Sequence, residues 1–299
     1  MHVFYSDLYT LPLPEDHRFP IEKYRLLRDY LISHQILKSD LIFESPLATE
    51  TELSFGHTSL YIQQMRDGTV PLEIIKRIGF PWSQNLYKRS CATVGGAISA
   101  AKSALKFGIS GNLAGGTHHA HSDRGEGYCV FNDIAVAARI LKSEYQIKKI
   151  AIIDLDVHQG NGNSSILGHD KDIFILSIHG EKNYPFKKIS STLDIGLADG
   201  TGDQEYLEKL KPALDQVLNF KPDFIFYQMG VDPLKEDVLG KLNLSFQGLM
   251  ERDRMVLSLA HQKSIPISLA LGGGYAKPIE LSIEAYANTY RVVQEIWKN

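Results

Sequence analysis

The chain is poor in cysteine. Cys91 and Cys129 are its only two among 299 residues. That is no disulfide framework, so a reducing, cytoplasmic setting is expected. It has no excess of positive charge either: 32 Lys and Arg stand against 35 Asp and Glu, a net −3 with histidine neutral. No broad basic surface is therefore expected to meet a phosphate backbone, and direct nucleic-acid binding is not anticipated. No apolar run approaches the roughly 18 residues of a membrane span. The first twenty residues carry acids and prolines where a secretory signal needs a basic start and an apolar run. Repeats, low-complexity tracts and Ser/Gly/Pro-rich linkers are missing, which weakens the division into two domains that length alone suggests. What is present is ordinary: 43% hydrophobic and 22% charged residues. That composition excludes disordered and fibrous classes and supplies a core large enough to fold without staples.

The order of elements is more telling. Val3–Tyr5 reads as a strand, and a helix is expected from Pro20 to about His34 with Ile21, Tyr24, Leu27, Tyr30 and Leu31 on one face. Helical stretches follow at His57–Arg66 and Pro71–Ile78. Ser83 is placed to cap a long helix to about Lys106, and Asn132 or Asp133 to cap another to about Tyr145. Four apolar runs then appear, at Ile150–Asp154, Ile173–Ile178, Phe224–Tyr227 and Ile265–Leu271. Helical patterns alternate with them at Gln204–Leu218, Ser245–His261 and Ala276–Trp297. Continuous apolar strands alternating with helices predict an α/β fold with a mostly parallel sheet covered on both faces. Such sheets gather ligands at the carboxyl ends of their strands.

Polar residues crowd at those ends in four clusters: Gly115–His119 continuing to Cys129, Asp154–Gly162, Gly230–Asp232 and Gly272–Tyr275. In an extended stretch Asp154, Asp156 and His158 share one side, with Leu155 and Val157 on the other. One carboxylate and one imidazole from here, joined by Asp232, make a three-ligand metal site with a position left for water or substrate. His118 and His119 diverge if they are strand neighbours, so they suit acid/base work better than joint ligation. The glycine run is weak evidence alone, but Tyr275 at its end can donate to an oxyanion. His57 and Tyr61, at i and i+4, read as a helix surface pair. His121 and His179 stay ambiguous, and Cys129 reads as a buried structural thiol.

Together the clusters resemble the zinc-dependent histone deacetylase family, on the arginase/deacetylase fold. The resemblance runs from Pro14–Pro20 and Tyr24 through Gly79–Trp82 to Tyr275. The form of Asp154–Gly162, with Ser122-Asp123-Arg124, is most similar to the class IV branch and its bacterial relatives. The resemblance implies one catalytic domain over 1–299 and a Zn²⁺ site at Asp156, His158 and Asp232. It implies His119 as general base and then acid, His118 as its electrostatic partner oriented by Asp154, and Tyr275 as the carbonyl donor. Gly127 and Tyr128 would line the channel for the acyl-lysine stem, with Tyr184 opposite. A structural K⁺ would take Asp154, Ser177 and the carbonyls of Asp156, His158 and Ile178. Two departures stand out. Asn161 replaces the aspartate that class I enzymes place behind the second histidine, and Tyr128 stands where many relatives have Phe.

The activity implied is hydrolysis of acyl-lysine in a protein or peptide, with an acylated small amine such as an acetylpolyamine as the alternative substrate. A two-manganese ureohydrolase fits less well, because Asn161 and the paired histidines do not supply its extra carboxylates. An inactive acyl-lysine binder is disfavoured by the complete set of ligands.

Overall fold

Residues 1–14 and 17–297 are described by a computed structural model. Glu15 and Asp16 of the Pro14–Pro20 motif lie outside the described residues. Eight strands make one sheet in which every pairing is parallel. They are β1 (His2–Tyr5), β2 (Ile42–Glu44), β3 (Ile109–Asn112), β4 (Ile150–Asp154), β5 (Ile173–Gly180), β6 (Leu193–Leu197), β7 (Phe224–Gln228) and β8 (Ile267–Ala270). Their spatial order is β2-β1-β3-β8-β7-β4-β5-β6. The helices are α1 (Lys23–Ser33), α2 (Glu50–Leu53), α3 (Ser59–Asp67), α4 (Leu72–Ile78), α5 (Gln84–Phe107), α6 (Asp133–Glu144), α7 (Asn161–Leu167), α8 (Asp203–Phe220), α9 (Phe246–Gln262) and α10 (Glu280–Ile296). Helix α5 packs on β1, β3 and β8, and α8 on β5 and β6. The expected α/β class and parallel sheet are thus observed.

The four apolar runs are the inner strands β4, β5, β7 and β8, and every residue of these strands is buried. Such strands need no polar alternation, because helices cover both of their faces. Ser83 caps α5 by accepting from Leu86 N–H at 3.1 Å, and Asn132 caps α6 by accepting from Ala135 N–H at 2.8 Å. Three starts differ from expectation. Regular helix begins at Lys23 instead of Pro20, at Ser59 instead of His57 and at Glu280 instead of Ala276. In the second case the Thr58 hydroxyl accepts from Tyr61 N–H, which sets the boundary after His57.

Three strands and a helix carry no readable pattern. β3 is Ile-Ser-Gly-Asn, yet wholly buried. Its polar side chains are spent internally: Ser110 donates to the His2 carbonyl at 2.9 Å, and Asn112 donates to the Thr93 carbonyl at 3.1 Å. β2 and β6 are the sheet edges, short and half exposed, and α7 is only seven residues long.

Candidate active site

The strands β3, β8, β7 and β4 are consecutive neighbours at the centre of the sheet. The four polar clusters follow these four strands, at their carboxyl ends. That adjacency brings residues 118 to 275 to one place.

After β4 the backbone leaves the sheet, and the strand period does not continue through His158. The carboxylate of Asp154 turns to His118, with Oδ2 2.8 Å from His118 Nδ1. Asp156 and His158 instead face Asp232. His158 Nδ1 lies 3.0 Å from Asp156 Oδ1 and 3.0 Å from Asp232 Oδ2. The donor atoms of Asp156, His158 and Asp232 lie within 4.8 Å of one another, all three buried. The carboxylates are fixed by backbone: Asp156 Oδ2 accepts from Gly273 N–H at 2.6 Å, and Asp232 Oδ1 from Val157 N–H at 2.9 Å. Two buried carboxylates converging on one imidazole nitrogen are an anionic N,O donor set, which fits a divalent cation. Without one, burial and the charge of Asp156 push Asp232 up to about 7. His158 loses by burial but gains more from its two carboxylates, which raise it to about 10.

His118 and His119 do not diverge. They lie in a turn instead of on a strand, and their ring centroids are 4.1 Å apart. Asp133, first residue of α6, holds the loop before them by accepting from Gly116 N–H at 2.9 Å and Thr117 N–H at 2.8 Å. The two imidazoles have opposite electrostatics. Burial disfavours charge on His118, but Asp154 and Asp156 outweigh it and raise its pKa. Burial, then the charges of His118 and His158, hold His119 well below 6.5. Its Nδ1 lies 2.7 Å from Asn161 Oδ1. The Asn161 amide in turn donates to Glu126 Oε1 at 2.7 Å.

A cavity of about 470 Å³ opens above this floor, lined by Gly127, Tyr128, Tyr184 and Tyr275 among others. The Tyr184 ring meets His119 edge-on with centroids 4.9 Å apart. Gly127 has φ +57°, and a Cβ there would sit 2.6 Å from His119 Cδ2 and 3.1 Å from Tyr184 Cε1. Only glycine leaves both rings in place. Tyr275 is held through its N–H, which donates to Asp237 Oδ2 at 2.6 Å. Burial and the charges of Asp232 and Asp156 keep its hydroxyl protonated, as a donor must be. Ser177 is paired in register with Asp154 across β4 and β5, and Gly180 N–H donates to the Val157 carbonyl at 2.9 Å. Residues 154–158 and 177–180 therefore run side by side, with Ile178 buried in β5.

The chain belongs to the histone deacetylase domain family. Residues 17–290 match that family. It is 38% identical over 296 residues to an uncharacterised protein of Picosynechococcus sp., covering 99% of both chains. It is 32% identical to histone deacetylase 2 of Arabidopsis thaliana, covering 92% of this chain and 74% of that one. Acetoin utilization protein AcuC of Staphylococcus aureus is 27% identical over 321 residues, covering 100% of this chain and 79% of that one. Among solved structures, an HDAC homolog complexed with SAHA matches with a TM-score of 0.84 at 26% identity, over 99% of this chain and 83% of that one. The HD domain of HDA15 matches with a TM-score of 0.81 at 20% identity, over 98% of this chain and 87% of that one, and shows the fold alone. Family and fold support a hydrolase acting on acetylated amides. No helix among the described residues is long and apolar enough to cross a membrane.

Several contributors were not read from sequence. Glu126 behind Asn161, Asp133 behind the histidine loop and Asp237 behind Tyr275 are carboxylates accepting from site backbone or side chains. No spacing marks them. Lys23 is 1% exposed, donates to the Gly272 carbonyl at 3.0 Å and lies 5.1 Å over the Tyr275 ring. Burial pushes it down to about 8. An unbroken helical pattern hid it. His57 and Tyr61 are no surface pair: both are buried, and His57 Nε2 accepts from Asn132 N–H at 2.8 Å. His121 is buried near Glu126, His179 Nδ1 lies 3.0 Å from Ser177 Oγ, and Cys129 is a buried free thiol.

Proposed function

We propose that the protein is a zinc-dependent acyl-lysine hydrolase. The observation that carries the reading is the pairing of a neutral base, His119, with the Asp156/His158/Asp232 donor set on one cavity floor. Zinc held by these three residues supplies Lewis-acid polarisation of the amide carbonyl and acidifies a water. His119, kept neutral and oriented through Nδ1 by Asn161, takes the proton of the attacking water at Nε2. It then gives that proton to the leaving amine. His118, whose pKa Asp154 and Asp156 raise against burial, lies beside it and favours the developing negative charge when protonated. Tyr275 donates to the carbonyl oxygen as it becomes an oxyanion. Gly127, Tyr128 and Tyr184 shape the passage for the lysine stem.

Further points belong to the same reading. The amide at Asn161 supports the class IV branch. The side-by-side segments 154–158 and 177–180 support a K⁺ bound by Asp154, Ser177 and nearby carbonyls. The single sheet centre supports one catalytic domain across 1–299, and two buried free thiols suit a cytoplasmic setting. The test is hydrolysis of lysine peptides carrying acetyl through myristoyl groups, before and after chelation. Turnover that the chelator abolishes and zinc restores is expected. Unchanged turnover in folded His119→Ala or Tyr275→Phe protein would overturn the roles given to them.

A further inference from the structure

Charge is unevenly placed around the cavity. Four exposed cations, Lys76, Arg77, Lys182 and Lys241, line it. Among the described residues the one carboxylate in its lining is Asp156, at the floor. Among the described residues none of the four cations is in a salt bridge, although the chain as a whole is net negative. Lys76 and Arg77 end α4, where cations also suit the helix dipole. Lys182 and Lys241 lie in no helix and have no such reason.

Their backbone is built into the site. Arg77 and Ile78 carbonyls accept from Gly127 N–H at 3.0 Å and Tyr128 N–H at 2.8 Å, so the end of α4 is stitched to the channel wall. Asn183 donates to the Leu239 carbonyl at 2.8 Å and accepts from Lys241 N–H at 3.2 Å, which joins the two lysine-bearing segments. Phe186, 89% exposed, adds apolar surface to the same mouth. Four positive charges held around one opening attract anionic groups and repel cationic ones.

We infer that this mouth selects acyl-lysines in acidic peptide segments. The inference rests on the acyl-lysine reading above. Aspartate or glutamate on either side of the modified lysine meets the four cations, whereas a basic peptide or a polyamine brings like charge to them.

The test uses the zinc-loaded full chain and three peptides with the same acyl-lysine, flanked by acidic, neutral or basic residues, together with N-acetylspermidine. At low salt kcat/KM is expected to favour the acidic over the basic peptide by about tenfold, and the ratio is expected to shrink as salt screens it. The Lys182→Glu/Lys241→Glu protein, with two positive and two negative charges left at the mouth, is expected to lose the ranking. Equal turnover of the three peptides, a salt-independent ranking, or a preference for the basic peptide overturns the inference and leaves the acyl-lysine reading standing. A preference for the polyamine over every peptide, or turnover of none of the peptides, overturns that reading, and the inference with it.

Discussion

His119 is oriented by an amide: Asn161 Oδ1 lies 2.7 Å from its Nδ1, whereas the neighbouring His118 is bound to a carboxylate. An amide aligns the ring but stabilises its cation less than a carboxylate does. Asn161→Asp is therefore expected to raise the pKa of His119 and move the acidic limb of kcat/KM to higher pH by about one unit. Glu126 accepts from the amide at 2.7 Å, so the change is best made with Glu126→Gln, whose amide can donate to the new carboxylate in place of that bond. A pH–rate profile unmoved by the double change would show that the Asn161 contact does not govern the base.

Asp156 and Asp232 share one imidazole nitrogen. Removing metal leaves two buried carboxylates on one cation, so the chelated protein is expected to melt lower than the zinc-loaded one. Zinc at a hundredfold its Kd adds about 2.7 kcal/mol. Asp232→Asn still accepts from Val157 N–H. It is expected to fold, to bind no zinc by elemental analysis, and to show no zinc-dependent rise in Tm.

Gly127→Ala brings a methyl group against His119 at a backbone φ of +57°. A loss in kcat of about 100-fold is expected from displacement of the base, with zinc content unchanged. Wild-type kcat in this variant would remove Gly127 from the argument.

Acid lability is expected from His57. Burial pushes it down to about 4 from 6.5, and its Nε2 is occupied as the acceptor of Asn132 N–H. The unfolded chain binds this proton below pH 6.5, and the folded one only below about pH 4. Stability is thus complete above pH 6.5 and falls between those values, by about 3 kcal/mol in all. Urea unfolding across this range should show the slope, and His57→Gln should flatten it.

The sheet was legible where strands are buried on both faces and apolar throughout, as Ile150–Asp154 and Phe224–Tyr227 are. It was illegible where burial is achieved by internal hydrogen bonds, as in β3, whose Ser110 and Asn112 look like loop residues. Within the site, residues that present side chains at strand ends stood out: Asp156, His158, Asp232 and Tyr275. Those that act on other residues did not. Glu126, Asp133 and Asp237 matter through bonds to partners 16 or more positions away. Such partnerships exist only after folding. The turn at His118–His119 was also hidden, since strand geometry and turn geometry send adjacent side chains in different directions.

β8, the last strand in sequence, lies between β3 and β7. It is the keystone joining β2-β1-β3 to β7-β4-β5-β6. A growing chain that has not yet released residues 267–270 holds two half-sheets with no strand pairing between them. The paired histidines sit at the end of one half, and the carboxylates they work beside at the end of the other. Within the sheet the two halves of the site are therefore joined by one four-residue strand, and Tyr275 follows directly after it.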